Sequence, residues 1–446
     1  MKTAKLLAGL LIIGLTACAA PRQSPTPVPS TAISTSTAVV PAISATAAPS
    51  ATTPTPEVSV TTPIAATVGP SSLPTANPSP SPVPPVDATT GPGLTSTAVP
   101  SRSPISSTTA VPVASLTPAS RSSGPLKQTR GIYAVLKHDR GASLATLSNP
   151  NADGIVVRTY WSSVEPTEGQ YDWSFLDSQV AGAAAHGKQV VMIVLPGAFT
   201  PTWALQGVQT AQFDSKYGFT RGRPLTLPIP WDQTYLNRWF AFVRTLGERY
   251  DSNPAVVLVP ATGPTSVSAE MSLPDQSDAV AQWRTLGYTP QKFEDAWRQT
   301  LATYAQAFPT TQSALIMYPG LPIPDSAASD QTRSDLVALA VNSYPGRVAI
   351  QTSGLSARKQ DHPTLGYTLV QQSSPKTIVG FEMGTSATEK PARMGNANPV
   401  VALQDSIDFG LKAGANYLEI YEADVNNPAM QSALRDARAA LPSQRG

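Results

Sequence analysis

Gly154-Ile-Val-Val-Arg-Thr159, the stretch Trp173 to His186, and Gln189-Val-Val-Met-Ile-Val-Leu195 together decide the fold. The two apolar runs are near-continuous rather than alternating, which is the pattern of parallel strands buried on both faces. The residues between them have helical spacing, and Gly187 stands where a helix is expected to stop. Six further runs of the same kind lie outward of this unit: Gly131 to Leu136, Ala255 to Pro260, Ser313 to Met317, Arg347 to Gln351, Thr377 to Glu382 and Asn416 to Ile420. The clearest helix between runs is Asp232 to Tyr250. There Leu236, Trp239, Phe240, Val243, Leu246 and Tyr250 recur at helical spacing behind an N-cap-like Asp232. Eight strand-helix units in about 320 residues fit a single (β/α)8 TIM barrel, an α/β fold, over 126–446. A doubly wound open sheet is the competing arrangement, but the Gly-rich phosphate turn expected after its first strand is missing.

Upstream of this domain the composition changes. Residues 19–125 are Pro, Ser, Thr, Ala and Val with almost no charge and no aromatic side chain. Such a segment has too little apolar surface to offset an ordering cost of roughly 1 to 2 kcal/mol per residue, so a disordered tether is expected. Residues 1–18 read as a leader: Lys2 and Lys5, an apolar run from Leu6 to Leu15, then Leu15-Thr16-Ala17-Cys18. That ending resembles the lipobox of bacterial lipoproteins. The resemblance implies that Cys18, the only cysteine of the chain, is lipidated and anchors an exported protein to the membrane or cell surface.

Charge and residue counts exclude several classes. Lys and Arg number 31 against 29 Asp and Glu, and a net charge of +2 leaves no electrostatic footprint for nucleic acid. The three histidines, His138, His186 and His362, are far apart in the chain, and with one cysteine neither a zinc spacing nor an intramolecular disulfide can be drawn. The reading therefore implies no metal and no cofactor, and it leaves the oligomeric state open.

In a (β/α)8 barrel the working residues come from the C-terminal ends of the strands. Read in order, those ends carry His138 after the first strand, Arg158, Tyr160 and Trp161 at the second, and Trp203, Phe213, Tyr217 and Trp231 in a long loop after the third. After the fourth come Ala261-Thr262 and then Glu270. Tyr318 closes the fifth, Glu382 the seventh, and Tyr421-Glu422 the eighth. Paired carboxylates among aromatic side chains suit glycoside hydrolysis. One carboxyl protonates the leaving oxygen, another handles the anomeric carbon, and flat rings stack on sugars.

The run Arg158-Thr-Tyr-Trp161-Ser-Ser-Val-Glu165-Pro-Thr-Glu-Gly169-Gln-Tyr171-Asp-Trp173, followed by Gly187-Lys188, resembles the second strand-helix unit of retaining glycoside hydrolases of the β-galactosidase and cellulase clan. The resemblance implies a nucleophile after the seventh strand, at Glu382, with the arginine of the second strand beneath it. It also implies an acid/base after the fourth strand, for which Glu270 is the nearest candidate. The clan ends its fourth strand with Asn-Glu, whereas Ala261-Thr262 stands here.

The expected activity is therefore two-glutamate retaining hydrolysis of an oligo- or polysaccharide by a lipid-anchored enzyme. The expected substrate-binding residues are Arg158, Trp161, His138, Tyr318, Trp203, Trp231, Tyr421 and Glu422. Glu165 reads as structural, because Glu-Pro opens a turn, and Trp173, Trp239 and Trp297 read as core. The competing reading is a barrel that kept its cleft but lost its chemistry and serves as a surface glycan-binding protein.

Overall fold

The computed structural model describes residues 124–215 and 220–442. The expected leader with Cys18, and the expected tether except for Gly124 and Pro125, lie outside the described residues, as does Tyr217.

Eight parallel strands form the barrel, with an antiparallel hairpin inserted after the third. They are β1 (Gly131–Val135), β2 (Gly154–Tyr160) and β3 (Gln189–Leu195), then the hairpin of β4 (Thr210–Asp214) and β5 (Pro224–Pro228). The barrel resumes with β6 (Val256–Leu258), β7 (Ser313–Met317), β8 (Val348–Leu355), β9 (Val379–Met383) and β10 (Tyr417–Tyr421). The hydrogen-bonded order is β6-β3-β2-β1-β10-β9-β8-β7. A parallel bridge from Leu258 to Gln312 joins its two ends, and the amides of Val259 and Ala261 donate to the carbonyls of Gln312 and Ala314, each at 2.9 Å. The doubly wound alternative is excluded by this closure.

Both faces of the strands are buried, which is why they lack alternation in sequence. Ile132, Ala134 and Leu136 face the surrounding helices. Tyr133 and Val135 point inward, where they pack with Val191, Ile193, Val257, Ile316 and Tyr417 in a second cluster. The interior layer is tight. A Cβ on Gly380 would lie 2.1 Å from the Tyr417 ring, so glycine on β9 makes the room that a tyrosine on β10 fills.

Local signals set the helices. Ser174–Ala185 follows β2 and ends at Gly187, whose φ is +65°. Gln233–Tyr250 begins at Asp232, whose carboxylate accepts from the Tyr235 amide at 3.0 Å. Three elements differ from expectation. The region after β3 holds the hairpin rather than an open loop. Its strands alternate exposed and buried residues, with Ala211, Phe213, Leu225 and Leu227 inward. The eight-residue strand β8 continues to Leu355, beyond the expected Gln351, while β6 is only three residues long.

Candidate active site

A cleft of about 340 Å³ opens at the C-terminal ends of the strands. Glu382 on β9, Glu270 after β6, Arg158 on β2, His138 after β1, Tyr318 after β7 and Tyr421 on β10 all line it. Ile193, Leu195 and Ile316 form apolar parts of its wall, and Asp214, Ser215 and Leu225 of the hairpin contribute one side.

The placement of Glu270 follows from a strand ladder that is interrupted and then resumed. The amides of Val259 and Ala261 bond the carbonyls of Gln312 and Ala314, and the next carbonyl in that series, Ile316, receives the amide of Met271 at 3.0 Å. Residues 262–270 are thus an excursion from the fourth barrel strand. Met271 takes the position that residue 263 would hold in an uninterrupted ladder, so Glu270 returns to the place in the series that follows Ala261.

Three contacts hold the excursion. Trp239 Nε1 donates to the Thr262 carbonyl at 2.6 Å, Tyr235 Oη to the Gly263 carbonyl at 2.6 Å, and the Ala198 amide to the Ser266 carbonyl at 2.9 Å. Thr262 itself is buried, its hydroxyl donating to the Val194 carbonyl at 2.9 Å.

Glu382 is held on two sides. Tyr421 Oη donates to its Oε1 at 3.0 Å, and Ser353 Oγ lies 3.5 Å from its Oε2. Burial raises its pKa above the ordinary glutamate range. The Arg158 charge opposes that shift, the Glu270 charge adds to it, and the two hydroxyls oppose it. Arg158 is fixed by the Leu136 carbonyl, which accepts from Nε at 3.1 Å and from Nη2 at 2.6 Å. Its guanidinium therefore acts on Glu382 as a nearby charge.

His138 stacks on Tyr160, with centroids 5.8 Å apart and planes 13° apart, and Tyr160 stacks on Phe199 at 4.1 Å. Burial, with help from the Arg158 charge, lowers the His138 pKa to about 4, so the imidazole presented to the cleft is neutral near pH 7.

Four expected substrate contacts lie elsewhere. Trp161 is fully buried, packed on Trp239 at 5.0 Å and Trp203 at 5.7 Å, with Nε1 donating to Glu165 Oε2 at 2.8 Å. The ring turns into the helix layer because Trp161 starts a short helix directly after β2. Trp203 joins the same cluster, and its Nε1 donates to the Glu165 carbonyl at 3.0 Å. Trp231 packs on Trp283 and Tyr288. Glu422 accepts from the Ser143 amide at 3.3 Å and from Thr146 Oγ1 at 2.7 Å, which ties β10 to the start of the helix Leu144–Ser148. Glu165 is buried and accepts from Gly169 as well as from Trp161, a turn-closing role.

Sequence reasoning missed Glu419. It sits inside the barrel on β10, in register with Glu382. Its alternation with Tyr417 and Tyr421 on one strand was the available signal. Asp214, the last residue of β4, and Ser215 after it were also missed, although β4 has the period-two pattern.

Residues 155–306, from β2 through the helix Pro290–Ala307, match the glycoside hydrolase family described as beta-galactosidase. No curated protein matches. Among solved structures, similarity extends to the beta-amylase catalytic domain of Paenibacillus polymyxa, at 11% identity over 72% of this chain and 100% of that one, with a TM-score of 0.49. It extends also to a xylanase of Cellvibrio japonicus, at 12% identity over 70% and 98% with a TM-score of 0.43. A third is endo-glycoceramidase II of a Rhodococcus species, at 13% over 70% and 81% with a TM-score of 0.39. The family match falls on the strands and loops that build one side of the cleft and carry Arg158 and Glu270.

Proposed function

We propose that the barrel hydrolyses O-glycosidic bonds with retention, Glu382 acting as nucleophile and Glu270 as acid/base. The observation that carries this reading is the resumed strand ladder, which returns Glu270 to the fourth-strand position and brings it to the same cleft as Glu382. In the first step Glu270 gives its proton to the glycosidic oxygen while Glu382 attacks the anomeric carbon. In the second, Glu270 takes a proton from water as that water displaces Glu382 from the sugar. Tyr421 and the Arg158 charge support the ionised form of Glu382 that attack requires. The neutral His138 and the Tyr318 hydroxyl suit an uncharged oligo- or polysaccharide.

Glu382→Gln should lower turnover of chromogenic glycosides by about 100-fold or more while the protein stays folded. NMR of the first product should show the anomeric configuration of the substrate. Undiminished turnover by the variant, or an inverted first product, would overturn the assignment. The replacement of Asn-Glu by Ala261-Thr262 favours one other reading, a glycan-binding barrel, for which calorimetry would give binding without hydrolysis by the wild type.

Export and lipid anchoring through Cys18 belong to the same proposal, with the tether holding the domain off the surface it serves. Cys18→Ser should abolish incorporation of labelled palmitate. Equal labelling of the two proteins would remove the anchor.

A further inference from the structure

Glu419 is a buried carboxyl group that the reaction above does not use. It is 1% exposed, and Gln351 Nε2 donates to its Oε2 at 2.8 Å, while Gln351 Oε1 accepts from Tyr417 Oη at 2.7 Å. Its Oε1 has no hydrogen-bond partner. On the parallel pair β10 and β9, Glu419 is the register partner of Glu382, and on the other side it is the partner of Tyr133. The charged and titratable groups that face it are Glu382 from β9, Arg158 from β2, Glu270 from the excursion, Tyr133 from β1 and Tyr417 on its own strand. No ion pair within 4 Å joins Glu419 to a cation among the described residues. An ionised carboxylate in such a place is costly, whereas a protonated acid needs only modest hydrogen bonding.

We propose that Glu419 is a positioning residue for Glu382: of these two neighbouring carboxyl groups Glu419 holds the proton and Glu382 the charge. The inference rests on Glu382 as the reacting carboxylate. Two like charges side by side in a low-dielectric interior repel, so one group ionises first and the other is held back. Glu382 has Tyr421, Ser353 and the cleft on its side, whereas Glu419 has a single amide donor. Burial, reinforced by the Glu382 charge, pushes Glu419 up to about 8. While Glu419 stays neutral, Glu382 keeps its hydrogen bond to Tyr421. A second interior charge would draw water or movement into the layer that holds Glu382.

The test uses the full chain labelled with 13C at the glutamate carboxyl carbons, with titrations followed by NMR. The wild type should show one carboxyl with a midpoint near 8. That titration should be lost in Glu419→Gln, which is isosteric with the protonated acid and accepts the same Gln351 hydrogen bond. It should move to lower pH in Glu382→Gln, where the neighbouring charge is gone. Persistence of the upper titration in Glu419→Gln, or an unmoved midpoint in Glu382→Gln, would overturn the proposal.

Activity gives the second readout. The rate of Glu419→Gln relative to wild type should rise above pH 8, and a ratio constant with pH would overturn the positioning role. If Glu382→Gln keeps full glycosidase activity, the nucleophile reading fails on that result alone, and the titrations still report whether the pair is coupled.

Discussion

Tyr421 lies at the end of β10 with its hydroxyl 3.0 Å from Glu382 Oε1, and the same ring borders the cleft. The strand that carries the buried Glu419 thus also supplies the principal donor to Glu382, two residues further on. Tyr421→Phe removes that donor and little else. A hydrogen bond to a charged group contributes about 1.5–3 kcal/mol, which corresponds to a rate loss of roughly 10- to 100-fold. The bond favours ionised Glu382, so its loss should also move the acid limb of kcat/KM to higher pH. An unmoved acid limb would show that Tyr421 only packs.

The resumed ladder at Met271 yields a prediction that separates Glu270 from Glu382. Glu270→Ala should cost about 100-fold or more on alkyl glycosides, whose leaving oxygen must be protonated. In kcat/KM, which reports the first step alone, the loss should be much smaller on aryl glycosides with acidic phenols, which depart without help. Equal losses on both substrates would remove Glu270 from the acid/base role.

Trp161 is expected to matter for stability rather than for substrate affinity. In Trp161→Phe the Glu165 Oε2 loses its indole donor while remaining buried, at a cost of about 1–3 kcal/mol. Denaturant unfolding should register that loss. A large rise in KM with unchanged stability would return Trp161 to the cleft.

His138 makes the domain sensitive to acid. Unfolded histidine binds a proton near pH 6.5, whereas folded His138 does so only at about 4. Between those values the unfolded state holds more protons, so the His138 contribution to stability is complete above about 6.5 and is lost as pH falls toward 4. The urea midpoint of His138→Gln should therefore fall less than that of wild type from pH 7 to pH 4. Parallel declines would mean that His138 is already protonated in the fold.

Asp424 secures the loop after β9. It is fully buried and accepts from Ser386 Oγ at 2.9 Å and from the amides of Ala387 and Thr388 at 2.9 and 2.7 Å. Asp424→Ala leaves those donors without a partner and should destabilise the domain by about 2–4 kcal/mol. Thermal unfolding would detect this, and an unchanged Tm would mean that water replaces the carboxylate.

The eight barrel strands were legible in the sequence because burial on both faces writes a continuous apolar run, and the helix ends at Asp232 and Gly187 because capping is a local interaction. Glu382 was legible because a glutamate closing an apolar run is conspicuous. Side-chain direction was not legible. Trp161 follows β2 as closely as a cleft residue would, yet its ring turns into the helix layer, where it meets Trp203 and Trp239 from distant parts of the chain and Glu165 one turn away. The return of Glu270 depends on the Ile316 carbonyl, forty-odd residues away, and no local pattern encodes that pairing. The pairing of Glu419 with Glu382 became visible only when β9 and β10 aligned in register. Sequence alone determined the eight barrel strands and their order, since those follow from short-range periodicity and caps; only the tertiary structure decided which groups meet in the cleft, since that follows from strand register and long-range hydrogen bonds.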